Sequence, residues 1–135
     1  MKPDFTVVDA IVGMEGMNVY PDDCVPMGTV LAGADAVAVD AVCTAMPGFD
    51  VDHILHVRLA AEEGLGVADL DEIELRGVRL EDVRRRFVPH GEAARERLAG
   101  ATIVEKNTCT GCMGEMVSTF IYLDKAGYSD RLKDL

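Results

Sequence analysis

Two groups of side chains in this sequence carry chemistry in their types and spacing. The first is Cys109-Thr110-Gly111-Cys112, at the head of the apolar stretch MGEMVSTFIYL. Two residues between cysteines put both sulfurs on the first turn of a helix. There the unsatisfied N–H groups and the positive dipole end favour thiolate over thiol. Such a pair is either a redox dithiol or two soft ligands for a metal ion. Zinc and iron–sulfur sites ordinarily take four ligands, and the pair supplies two; Cys24, in a proline-bounded loop, is the candidate third. The opposing reading is two incidental, half-buried cysteines. Cys43 shares a helical face with Val39 and Met46 and reads as core, because a free cysteine packs as a small hydrophobe.

The second group joins acids to glycines. Asp9 lies in VVDAIVG, Glu15 stands between Gly13 and Gly16 in GMEG, and Asp35 closes LAGAD. In open α/β sheets, ligands bind beyond the carboxyl ends of strands, where glycines let the backbone come close. Converging there, Asp9, Glu15 and Asp35 would offer hard oxygens to a divalent metal such as Mg²⁺, itself bridging a phosphate. The alternative makes Gly13 and Gly16 a turn, Asp35 a helix cap and Glu15 a solvated residue. Asp40 lies in AVAVDAVCTAM, apolar on nearly all sides, which predicts a buried carboxylate. It is either a structural hydrogen-bonding group, serving the glycine loop, or an acid of raised pKa. His53 and His56 share a helical face without the carboxylate of a zinc-protease motif, and read as surface residues. Arg84 to Arg86 read as a solvated face pairing with Glu81 and Asp82.

The elements that would position these groups run β, β, α, α, β, α, β, α. Strands are predicted at Phe5–Val12 and Thr29–Leu31, then in IELRG, and at Ala101–Val104. Helices are predicted over Ala36–Met46 with Asp35 as N-cap, from Asp52 as cap to a stop at Gly64, over Gly91–Leu98, and from Thr110 to about Ala126. Ile54, Leu55, Arg58 and Leu59 form the expected amphipathic stripe of the second helix. The order predicts a single α/β domain over 1–135, a parallel or mixed sheet flanked by helices. The ending LDKAGYSDRLKDL resembles the approach to another strand, so the chain reads as a fragment of a larger domain.

Composition narrows the function classes. There are 13 basic and 24 acidic residues, a net charge of −11, so a nucleic acid or an anionic membrane would be repelled. No apolar run reaches the roughly 18 residues of a membrane span, and no signal sequence opens the chain, which predicts a cytoplasmic protein. Four cysteines are too few for a disulfide scaffold.

The blocks VVDAIVGMEG, MGTVLAGADAVAVDAV and GFDVDHILHVRLAAEEGLGVADLDEIELRG, in that order, resemble the domain-of-unknown-function family 362 over about Thr6 to Gly77. The tail TCTGCMGEMVSTFIYLDKAGYSDRLKDL is similar to the C-terminal part of some members, where a Cys-x-x-Cys helix precedes a further strand. Members are two or more times longer, which implies that this chain corresponds to the C-terminal part alone. Asp9, Asp35 and Asp40 fall where the family pattern has aspartate, implying a shared structural or ligand role. Several relatives carry iron–sulfur modules. The Cys-x-x-Cys-x-x-Cys-x-x-x-Cys run of such modules is absent here, and MNVYP replaces the glycine-proline that follows the GMEG-type loop. The sequence reading is therefore a ligand- or metal-binding α/β domain with a redox-capable thiol pair, associated with an iron–sulfur cluster or a divalent metal. Its partner would be a small molecule or a redox protein. The alternative is a non-catalytic interaction fragment whose open sheet edge pairs with a second copy.

Overall fold

The computed structural model describes residues 2–17, 21–97, 106–107 and 109–128. Among them are one two-stranded antiparallel sheet and five helices. The mixed α/β class holds, but among the described residues the sheet is antiparallel and two-stranded rather than the expected parallel or mixed one. Strand β1 spans Thr6–Met14 and β2 spans Cys24–Gly33. Strand β2 starts five residues before the predicted Thr29, running through Pro26 and through Gly28 at φ +62°. The inside–outside alternation of β1 slips by one residue at Ile11–Val12, where the Ile11 N–H is taken up by Asp9 Oδ1 at 2.9 Å. The IELRG segment forms no strand. The predicted strand at Ala101–Val104 lies outside the described residues.

The chain forms two compact units: residues 1–13 with 25–87, and residues 14–24 with 88–135. In the first unit, α1 (Ala36–Ala45) follows its N-cap Asp35, as the sequence indicates. Val37, Ala41 and Ala45 of α1 pack with Val51 and with Val57 of α2 (Leu55–Glu62), and Ile73 and Leu80 border this core. The predicted cap Asp52 does not hold. Asp50 caps a 3₁₀ turn at Val51–His53 instead, accepting from the Asp52 N–H, and α2 has no side-chain cap. Leu55 and Leu59 of the expected stripe are exposed, and Val57 is the buried anchor. Helix α3 is one turn, Leu80–Val83. Arg84 to Phe87 then run extended along the end of α1. Arg84 Nε donates to the Ala45 carbonyl (3.1 Å), Arg85 N–H to Met46 and Phe87 N–H to Pro47. A guanidinium on the last carbonyls of a helix complements its negative dipole end. Asp82 pairs with Arg79, outside the arginine run, at 2.8 Å.

The second unit is held by α4 (His90–Arg97) and α5 (Thr110–Lys125). Met17, Ala93, Ala94, Met113 and Val117 are its buried core, with Val88, Met116, Phe120 and Ile121 around them. Positions 113, 116, 117, 120 and 121 give α5 one apolar face, which is why MVSTFIYL is core helix. Helices α1, α2 and α5 end alike. A glycine at positive φ (Gly48, Gly64, Gly127) lets the next N–H reach back five residues, from Phe49 to Thr44, Leu65 to Ala60 and Tyr128 to Leu123. Among the described residues no helix is long and apolar enough to cross a membrane.

Candidate functional site

Each of the acids expected to share one hollow accepts a backbone N–H of its own unit. Asp35 sits where β2 turns into α1. Its Oδ1 accepts from the Val37 N–H (2.9 Å) and the Ala38 N–H (3.2 Å), and its Oδ2 from the Val67 N–H (3.0 Å). Burial alone would raise its carboxyl pKa, but the Val67, Ala38 and Val37 N–H groups outweigh burial and lower it. The segment carrying Val67 comes so close that a Cβ on Gly66 would collide with the carboxylate. Asp35 thus closes the helix and clamps the loop after α2. Beside it is a cavity of about 290 Å³, lined mainly by Leu31, Val39, Val42, Ile73 and Leu75, with Glu72 and Glu74 alongside.

Asp9 is exposed and serves its own strand through Ile11. Asp40 is exposed as well, which corrects the expected buried carboxylate. It marks the solvent face of α1, whose other faces hold Val37, Val39, Ala41, Val42 and Ala45. Glu15 belongs to the second unit. Its Oε2 accepts the Val88 N–H at 2.7 Å, while the Gly16 N–H donates to the Val88 carbonyl at 2.8 Å. Gly16, at φ +60°, is the turn residue of the alternative reading. Gly13 is small because a Cβ there would stand 2.6 Å from the Phe87 ring. Among the described residues no three His, Cys, Asp or Glu side chains are grouped to hold a metal ion. Asp9 and Asp35 belong to the first unit and Glu15 to the second.

Sequence reasoning missed two acidic features. Asp23 is buried at 6% exposure, in a 3₁₀ turn at Pro21–Asp23. Asp50, Asp52, Asp69 and Asp71 line a hollow of about 510 Å³ with Phe49 and Arg84. The signal was an aspartate pair two apart in both FDVD and ADLD. Asp50 and Asp69 each accept the N–H two residues on, so both pairs stabilise local turns. His53 is exposed and pairs with Asp50 at 3.2 Å.

The cysteines do come together. Cys109 is the residue before α5, and its carbonyl accepts the Met113 N–H. One turn on, Cys112 Sγ lies 3.5 Å from Cys109 Sγ, and both residues are exposed. The Cys112 N–H, the Cys112 thiol and the Gly111 N–H all stabilise a Cys109 thiolate and hold its pKa below the usual thiol range. The Cys112 thiol is pushed up by its hydrogen bond with, and the charge of, the same neighbour. Cys24 is exposed, and no third donor joins the pair among the described residues. A four-thiolate zinc or iron–sulfur centre therefore does not fit those residues. Cys43 is half-buried; burial, then the Asp40 charge, push its thiol up, in keeping with an inert packed cysteine.

Compared with known proteins, residues 1–45 match the model of the family described as Domain of unknown function (DUF362). The match covers β1, β2 and α1, and is narrower than the resemblance drawn over Thr6–Gly77. The Cys-x-x-Cys helix and the tail lie outside it, so a placement resting on the tail is not supported. No curated protein and no solved structure matches the chain.

Proposed function

We propose that the second unit is a thiol–disulfide redox module, with Cys109 as attacking thiol and Cys112 as resolving thiol. The observation that carries this reading is the exposed Sγ–Sγ pair at 3.5 Å, one turn apart at the head of α5. Thiolate is the nucleophile in thiol–disulfide exchange, and a helix N-terminus supplies it near neutral pH. The Cys109 thiolate attacks one sulfur of a partner disulfide. The partner's S–S bond breaks, a mixed disulfide forms, and one partner sulfur leaves and takes up a proton. Cys112 then gives up its proton and attacks Cys109 Sγ, releasing the second partner sulfur. The second sulfur takes up the Cys112 proton and the first is protonated from water; the protein ends as the Cys109–Cys112 disulfide, and two electrons have passed to the partner. The exposure of both residues suits a disulfide on another molecule, small or protein.

The test is oxidation of the reduced chain by a graded glutathione buffer, followed by alkylation and mass analysis. Loss of two alkylatable thiols, mapped to Cys109 and Cys112, is the expected result. Cys112→Ser should trap a mixed disulfide on Cys109, whereas Cys109→Ser should trap far less. Four thiols surviving an oxidising buffer would end the proposal.

A further inference from the structure

The same pair has a second chemistry. We propose that the reduced Cys109–Cys112 pair binds one soft monovalent d¹⁰ cation, of which Cu(I) is the biological example, as a two-thiolate complex on a single chain. Like the redox proposal, this rests on the pair being reduced and accessible.

Ligand number argues for this class of ion. Zinc and iron–sulfur centres are completed by four donors, and among the described residues no third His, Cys, Asp or Glu stands with the pair. The nearest methionine in sequence, Met113, is 6% exposed and faces Ala93, Ala94 and Val117, so its thioether is turned into the core. Two thiolates alone leave hard cations undersupplied, whereas soft sulfur ligands select Cu(I). At 3.5 Å apart, the sulfurs can touch one ion. Both are exposed to the carrier or chelator that would deliver it. The balance is Cu⁺ plus two thiols giving a bis-thiolate of charge −1 and two protons, with no change in oxidation state. Ion and disulfide exclude each other, since they use the same sulfur atoms.

The experiment is an anaerobic titration of the reduced full chain with Cu(I) against a coloured Cu(I) chelator. Stoichiometry, chain mass in solution and circular dichroism are read on the same samples. One ion per chain on a monomer is expected. Retention should drop by more than about tenfold in Cys109→Ser and in Cys112→Ser, since loss of outer-shell support alone costs that much at metal sites. Cys24→Ser and Cys43→Ser should retain the ion. Full retention in either Cys109→Ser or Cys112→Ser, one ion per two chains, or no retention by the reduced chain would each overturn the proposal. Diamide oxidation of the same stock separates the two readings. A pair that oxidises yet leaves copper with the chelator refutes this inference alone. A pair that takes copper yet resists oxidation refutes the redox module alone.

Discussion

Replacing Asp35 with alanine removes the acceptor of three backbone N–H groups at once. Two of them, Val37 and Ala38, are the orphan donors of the first turn of α1, and both use Oδ1. Loss of an aspartate N-cap costs about 1 kcal/mol. The third, Val67, is 32 positions away and uses Oδ2. A hydrogen bond to a charged group contributes about 1.5–3 kcal/mol, and the half-buried position of Val67 lets water recover part of that. The sum is about 2–3 kcal/mol, a large share of the 5–15 kcal/mol that holds a typical domain. Asp35→Asn divides the effect. Its amide oxygen still caps Val37 and Ala38, but its NH₂ now faces the Val67 N–H, so the cost should be smaller by about the 1 kcal/mol of the cap. Urea denaturation followed by circular dichroism gives the totals. Amide exchange gives the parts: the Val67 N–H should exchange faster in both variants, and the Val37 N–H only in the alanine variant. An alanine variant within about 0.5 kcal/mol of the parent, the range of surface substitutions without such a role, would refute the clamp. Equal losses in the two variants would refute the division between the oxygens.

The Asp35 carboxyl is held below its ordinary value, so the folded chain binds that proton less tightly than the unfolded chain. Its contribution is therefore whole above the unfolded aspartate pKa of about 3.9 and is lost as pH falls through the folded value. Urea midpoints of the parent should fall through that window more steeply than those of Asp35→Ala; parallel curves would contradict the assignment. Gly66→Ala drives a methyl group into the Asp35 carboxylate and should cost about as much as removing the clamp, yet should add little in an Asp35→Ala background. Additive losses would show that the two positions act independently. In Cys112→Ala the Cys109 thiolate loses a hydrogen-bond donor, so the pH midpoint of its iodoacetamide reaction should move up toward that of free cysteine, about 8.5. A midpoint unchanged from the parent would mean that the second thiol does not stabilise the first.

Where the sequence speaks locally, it was legible. Helix α1 announces itself by the aspartate before it and the Pro47-Gly48 stop after it, and α5 by its apolar spacing. Residues that answer to distant neighbours were not legible. Asp40 looked buried because its helix is apolar almost all round, but one carboxylate among valines and alanines is enough to choose which face meets water. IELRG has the alternation of a strand, but a strand needs a partner. Here Ile73 instead turns into the core beside Leu70 and Leu80, while Leu75 stays exposed. The predicted loop ends in Pro26 and the predicted strand starts at Thr29, yet β2 already carries Pro26 and Gly28. For the site, the Cys-x-x-Cys spacing fixed the thiol pair because the geometry lies within one helical turn. The meeting of Asp9, Glu15 and Asp35 depended on sheet topology, which spacing along a chain does not encode. Each of those carboxylates accepts a backbone N–H, and for Glu15 the donor, Val88, is 73 positions away.

The boundary between the two units is crossed by the chain three times, at 13–14, 24–25 and 87–88. Neither unit is therefore a contiguous stretch that scissors could free. A nick after Phe87 yields an N-terminal piece that still contributes Met17 to the cluster of Ala93, Ala94, Met113 and Val117. The two pieces should stay together until denaturant pulls that methionine out. An expression clone starting at residue 88 would carry the dithiol helix but lack the segment that completes its packing. Dissecting this molecule calls for rejoining residues 14–24 to the later sequence through a new linker, because plain truncation strips the thiol-bearing half of part of its interior.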